Sequence, residues 1–153
     1  MRLFAFLLAL VLPACSGSGA EGVPVPPPID FAALVRPGTA NTALAAPAGF
    51  NPAPDIVTRR YAVPRQVLYD AVRLVALAQP RTFLQVAYDE RLQAHFVARS
   101  AVFNFPDLIA VQVNPDSTLV LWSRSVYGEG DFGVNRKRLQ AWLTALDTAL
   151  SAR

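Results

Sequence analysis

Cysteine and histidine are nearly absent from this sequence, which has one of each among 153 residues. A single cysteine, Cys15, excludes an internal disulfide. A metal needs several ligands and a nucleophile needs a base, yet the chain has no histidine pair and no Cys-x-x-Cys motif. His95 lies in the strand-like run LQAHFVARS and is expected to be a strand-face or hydrogen-bonded histidine. The sequence therefore predicts neither a cofactor nor a metal site.

Charge is also scarce, at 16% of the residues with a formal net charge of +3. The run NRKR at 135–138 is the longest stretch of basic character, and acidic residues are interleaved with basic ones elsewhere. No nucleic-acid partner is therefore expected. Long hydrophobic runs are missing too, because the apolar stretch at 3–12 is shorter than the ~20 residues that span a bilayer as a helix.

The N-terminus has the layout of an export signal, with Arg2, the apolar stretch and then small residues. Its ending, LPAC at 12–15, resembles the lipobox of bacterial lipoproteins. The resemblance implies cleavage after residues 1–14 and acylation of Cys15, which anchors the chain stably when more than one acyl chain is attached. The expected location is the cell envelope, on the inner or outer membrane facing the periplasm, with the lipid bilayer as a partner. The alternative is a plain secretory signal with an incidental cysteine.

Residues 15–54 are predicted to form the lipidated tether and a proline-rich arm. Of the 13 prolines, eight fall within residues 24–54, and the run VPVPPP favours an extended polyproline-like backbone. Such a segment cannot build its own core. Its apolar side chains are expected to dock on the folded domain, and they are Phe31, Leu34, Val35, Leu44 and Phe50.

Residues 55–153 have the pattern of an α+β domain. Apolar residues at helical spacing between Pro64 and Pro80 predict a first helix. Four strand-like runs follow, paired through a hairpin at 89–91 and through the turn NPDS at 114–117. A final helix is predicted to begin near Asp131, whose carboxylate can cap its free amides. The predicted fold is a two-layer sandwich of helix, four antiparallel strands and helix, preceded by the proline-rich arm.

The run TLVLWSRSV places Leu119 and Leu121 on one face of the sheet and Val120 and Trp122 on the other. Two helices can cover only one face. The other face therefore needs a cover, for which the arm, a second subunit or a bound lipid are the alternatives.

The strand-to-helix corner at 121–143 is the richest in polar side chains. Its three glycines permit an irregular turn with exposed amides, and a helix start flanked by Arg124, Arg136 and Arg138 is a candidate anion site. Asn135 shares the apolar stripe of the helix with Leu139 and should hydrogen-bond the sheet or the loop. Two interpretations stay open. The polar residues hold the corner together, or they also bind a ligand.

The stretch SRSVYGEGDFGVNRKR resembles the signature of domain of unknown function 1499, over about residues 40–150. In that pattern an arginine-serine pair and a glycine precede Asp, a hydrophobe and Gly-Val-Asn-Arg. Upstream, RSAVFNFPD is similar to the family's Phe-x-Phe-x-Asp segment. The matching positions are Phe103, Phe105, Asp107, Arg124, Ser125, Gly128, Asp131, Phe132, Gly133, Val134, Asn135 and Arg136.

Two departures from the family pattern matter for function. Leu108 and Ala110 stand where many members carry acidic residues, and the cysteine-containing segment before the first helix is absent. Paired carboxylates for acid–base work could come from Asp107 with Asp131, but nearby arginines would keep both ionised, so an enzyme is not the favoured interpretation. The sequence predicts an envelope lipoprotein that docks a protein partner or has a structural role. The alternative is a binder of a small anionic or lipid-like ligand at the corner 123–138.

Overall fold

The structure, a computed structural model, describes residues 17–152. The predicted signal peptide and Cys15 lie outside the described residues. Within them, no helix is both long and apolar enough to cross a membrane. The strands are β1 (Thr42–Pro47), β2 (Ile56–Thr58), β3 (Thr82–Tyr88), β4 (Gln93–Arg99), β5 (Pro106–Val113) and β6 (Leu119–Ser125), and the helices are α1 (Arg65–Leu77) and α2 (Val134–Ser151).

The six strands form one mixed sheet in the order β2-β1-β6-β5-β4-β3. Strand β1 pairs antiparallel with β6, as in Leu44 opposite Trp122, and parallel with β2. The α+β class and the two helices agree with the prediction, but the four-stranded sheet was wrong by two strands. Both additional strands precede α1. The run TALAAP of β1 lacks the β-branched and aromatic residues that mark strands in a sequence, so its strand conformation depends on pairing with β6.

Both helices pack on one face of the sheet. Leu68 and Val72 of α1 and Leu139 and Trp142 of α2 are fully or almost fully buried there. The Trp142 ring meets Phe96 of β4 edge to face, with 5.7 Å between centroids. This is the main core, and it arises because each helix carries apolar residues at the spacing of one helical face.

The opposite face of the sheet is covered by the arm. Phe31, at 3% exposure, packs with Val120 and Trp122 of β6, and the partly buried Leu34 and Phe50 close the edge of this cluster. Of the docking side chains expected from the sequence, Leu44 lies in β1 and Val35 stays exposed. The proline-rich segment therefore serves as the second covering layer of the sheet, which the alternation in β6 had shown to be needed.

Candidate functional site

Asn135, in the first turn of α2, is fully buried and ties the helix to the sheet. Its Nδ2 donates to the carbonyl oxygen of Asn41 and to the Ser125 hydroxyl, each at 3.0 Å. Its Oδ1 accepts from the Ser123 hydroxyl at 2.5 Å and from an Arg138 guanidinium nitrogen at 2.7 Å. The buried position and the bonds to the sheet agree with what the helical spacing predicted.

Asp131 holds the start of α2 from the preceding loop. One carboxylate oxygen accepts the Gly133 amide at 2.8 Å, and the other accepts the backbone amide of Asn135 at 2.8 Å and its Nδ2 at 2.7 Å. Burial alone raises the pKa of Asp131, but the hydrogen bonds from the amides of Asn135 and Gly133 outweigh it and hold that pKa below its ordinary value. Asp131 therefore stays ionised and keeps the capping geometry near neutral pH.

Arg138 extends the network to β5. One guanidinium nitrogen donates to Asp107 Oδ2 at 2.6 Å, and the other donates to the Ser123 hydroxyl at 3.0 Å as well as to Asn135. Both members of the Asp107–Arg138 ion pair are largely buried. Removing one partner of such a buried ion pair strongly destabilises the fold, because the remaining charge is left poorly hydrated and without a counter-charge. The donors of Arg138 are thus used to hold α2 against the sheet.

Arg124 and Arg136, also expected at the corner, lie outside this network. Arg124 alternates with Ser123 and Ser125 along β6, so its side chain lies on the arm-covered face, where it stacks over the Trp122 ring at 5.1 Å. Arg136 is exposed and makes no hydrogen bond or ion pair with the described residues. Of the predicted candidates, Asp107, Asp131, Asn135 and Arg138 come together.

A cluster of apolar and aromatic side chains, all exposed except the half-buried Tyr127, lies next to the corner. The loop at 100–105, between β4 and β5, and the loop at 126–133, between β6 and α2, meet there. The Phe103 and Phe105 rings stack with 5.4 Å between centroids, and the Phe105 ring lies 5.8 Å from that of Tyr127. Phe103 is 67% exposed. We call this cluster the apolar rim, and its members are Val102, Phe103, Phe105, Val126 and Tyr127.

The described part of the chain begins on this same rim. The Gly17 carbonyl accepts a hydrogen bond from Asn104 Nδ2 at 3.1 Å, and Asn104 stands between Phe103 and Phe105. Two residues later the Gly19 carbonyl accepts from Arg99 Nε at 2.7 Å. The N-terminal segment is thus fixed beside the loop that carries the exposed phenylalanines.

Comparison with protein families covers most of the chain. The model of a family described as protein of unknown function (DUF1499) matches residues 31–146. The chain belongs to the DUF1499 family. No curated protein matches the chain. The matched range runs from Phe31 of the arm to Leu146 of α2, so it includes β1, β2 and the entire corner network, and it confirms the resemblance drawn from the corner motif.

Several members of the network in this DUF1499 chain were not among the site residues predicted from the sequence, although Ser125 is a position of the family motif. Ser123 and Ser125 follow Leu119 and Leu121 on the helix-facing side of β6, and two hydroxyls on an otherwise apolar face were the available signal. Asn41 gave no signal. It meets Asn135 across 94 positions of sequence, and its own side chain donates to the Gly128 carbonyl at 2.5 Å.

The chemistry of the corner is that of a satisfied hydrogen-bond network. Asp107 is paired with Arg138, and both oxygens of Asp131 accept amide protons, so the two carboxylates are engaged in holding the fold. Among residues 17–152, no three or more His, Cys, Asp or Glu side chains are grouped to hold a metal ion. The corner fixes the loop at 126–133, and that loop presents part of the apolar rim.

Proposed function

We propose that this DUF1499 chain is a lipid-anchored envelope module with no catalytic role, and that its apolar rim docks on the membrane surface. The observation that carries the proposal is the hydrogen bond from Asn104 to the Gly17 carbonyl. Cys15, the predicted acylation site, is two residues from Gly17, and two residues reach at most about 7 Å. A lipid on Cys15 would therefore bring Phe103 and Phe105 to the bilayer.

The side chains of the rim suit such a surface. Contiguous exposed apolar groups mark protein or membrane contacts, and aromatic rings are favoured in the headgroup region. Phe132, fully exposed in the neighbouring loop, adds a further ring near this end. Arg136 and Lys137 follow it on the exposed side of α2, where they can attract anionic headgroups.

The corner itself supports docking better than ligand binding. Arg138, the arginine most central to the corner, has its guanidinium occupied by Asp107, Ser123 and Asn135. Arg136 is exposed and is not among the residues that line the cavities near the corner. A small anion at the Arg138 guanidinium would thus have to displace bonds that hold α2 in place.

The proposal is tested by measuring the contributions of the lipid anchor and of the apolar rim to membrane binding separately. The Cys15→Ala protein should move from the membrane fraction to the soluble fraction, because a single rim gives only weak, reversible binding. Its residual binding to vesicles of phosphatidylethanolamine and phosphatidylglycerol should fall several-fold with Phe103→Ser. Leu74→Ser, a matched change at a 64% exposed leucine of α1 outside the rim, should leave the binding unchanged.

Three results would contradict the proposal. If the Cys15→Ala protein stays in the membrane fraction, Cys15 is not the lipid anchor. If Phe103→Ser and Leu74→Ser change vesicle binding equally, the apolar rim is not the membrane-binding surface. Loss of a co-purifying envelope protein on Phe103→Ser, with vesicle binding intact, would assign the rim to a protein partner instead.

A further inference from the structure

A small cavity lies between the arm and the sheet, on the face away from the helices. Pro26 and Ile29 of the arm form its cover, and His95, Trp122 and Arg124 are among the sheet residues that line it. No aspartate or glutamate lines it. The cavity has a volume of about 10 Å³, which is enough for roughly one water molecule or small ion.

The arm is fastened over this cavity by polar side chains of β3 and β4. Gln85 Nε2 donates to the carbonyls of Val23 and Pro24 at 3.1 and 3.0 Å, and the Tyr88 hydroxyl donates to Pro26 at 2.6 Å. Gln93 bonds both the amide and the carbonyl of Ile29, at 2.7 and 2.9 Å. The cover is thus a built feature of the fold and holds the cavity in shape.

Two donors at the β6 end of the cavity lack an acceptor. Trp122 is 9% exposed, and its Nε1 is buried without a hydrogen-bond partner among residues 17–152. Arg124 is partly buried, and its guanidinium lies over the Trp122 ring without a hydrogen bond or an ion pair to residues 17–152. A buried N–H without an acceptor is costly, and so is a guanidinium without a counter-charge.

The side chains around the cavity carry a net positive charge, which also favours an anion. Burial lowers the pKa of Arg124. Burial and then the charge of Arg124 lower the pKa of His95 to about 4, so His95 is neutral and contributes no charge at neutral pH. What remains is one positive charge, an unused indole N–H and no carboxylate.

We propose that the cavity binds one small monovalent anion, chloride or a carboxylate of formate size, held between Arg124 and the Trp122 indole. A water molecule could accept from Trp122 but would not offset the charge. Gln85 Oε1, a buried acceptor without a partner, would repel an anion. Gln85 is carried by β3, three strand spacings from β6, so the anion belongs on the β6 side of the cavity, beside Arg124 and Trp122.

The test is an NMR titration that follows the two indole N–H resonances of the ¹⁵N-labelled protein. Sodium chloride or sodium formate replaces sodium gluconate at constant ionic strength, since gluconate is too large for the cavity. The Trp122 resonance should shift and saturate, while that of Trp142, buried on the opposite face, should not move. A shift with chloride but not with formate identifies a halide site. A shift with formate at the same or a lower concentration than with chloride identifies a carboxylate site.

Variants distinguish the site from a general salt effect. Arg124→Gln should abolish the saturable shift, and Arg124→Lys should retain it with weaker affinity, which covers the case in which the glutamine variant is poorly folded. Arg136→Gln removes an exposed cation outside the cavity and should leave the titration unchanged. A linear shift in the unsubstituted protein, or one equal for both tryptophans, would overturn the proposal and leave the cavity to water.

Discussion

Asn135 shows how one buried amide can join several elements of this fold. Its side chain bonds the residue that precedes β1, two serines of β6, the capping Asp131 and Arg138 of its own helix. Asn135 and Ser123 are fully buried and the other partners are buried or half-buried, so solvent cannot fully replace the bonds to Asn135. The corner is therefore expected to be sensitive to the identity of this one residue.

Asn135→Ala should lower the free energy of unfolding by roughly 2 kcal/mol, because the substitution leaves the buried Ser123 hydroxyl without its acceptor and removes one acceptor of Arg138. Urea unfolding of the two proteins measures the difference. Gln140→Ala, an exposed change on the same helix, is the control and should alter stability little. Equal stability of the Asn135→Ala and unsubstituted proteins would show that the network does not hold the corner.

His95 is the residue whose ionisation couples most clearly to folding. It contacts Gln93 at 2.9 Å and the Tyr88 ring edge to face, and it lies within the field of Arg124. Burial first, and then the Arg124 charge, lower its pKa from 6.5 to about 4. The unfolded chain therefore takes up a proton at a higher pH than the folded protein does.

Stability is thus fully present above pH 6.5 and declines as the pH falls from 6.5 toward 4. Between pH 6.5 and 5, where carboxylates contribute little, the loss from His95 should be about 1.5 kcal/mol. Urea unfolding at the two pH values measures it. His95 is the only histidine, so His95→Gln should remove most of the decline. A decline of the same size in His95→Gln would assign the effect to other groups.

At the scale of elements, periodicity in the sequence was enough for α1, α2 and the four strands β3 to β6. It failed for β1 and β2. TALAAP has small residues and a proline, and its strand state comes from pairing with β6, which is distant in sequence. Residues that look like a tether can become a central strand when the sheet offers an unpaired edge.

Helical and strand periodicity also predict part of the polar corner. Arg138 lies three residues after Asn135 and therefore on the same side of α2, whereas Arg136 points elsewhere. Strand alternation likewise places Arg124 on the Trp122 face, away from Asn135. These two placements follow from periodicity alone. The contribution of Asn41 does not, because it depends on where β1 enters the sheet.

At the scale of the whole molecule, the two faces of the sheet have different covers, and no residue within 17–152 covers the loop end that carries the apolar rim. The helices cover one face and the arm covers the other, over separate apolar clusters. The rim lies at the end where the described chain begins, so a lipid on Cys15 and the exposed phenylalanines would face the same way. This arrangement predicts one orientation of the protein on a bilayer.

The most direct measurement of that orientation is the depth of a nitroxide label at the rim. In the proposed acylated form Cys15 carries the lipid, so Phe103→Cys supplies a single labelling site there, with Leu74→Cys as the control on α1. In reconstituted vesicles, the label at 103 should be accessible to oxygen and shielded from an aqueous nickel chelate, and the label at 74 should show the reverse. Equal exposure of both labels to the chelate would contradict membrane docking by the apolar rim.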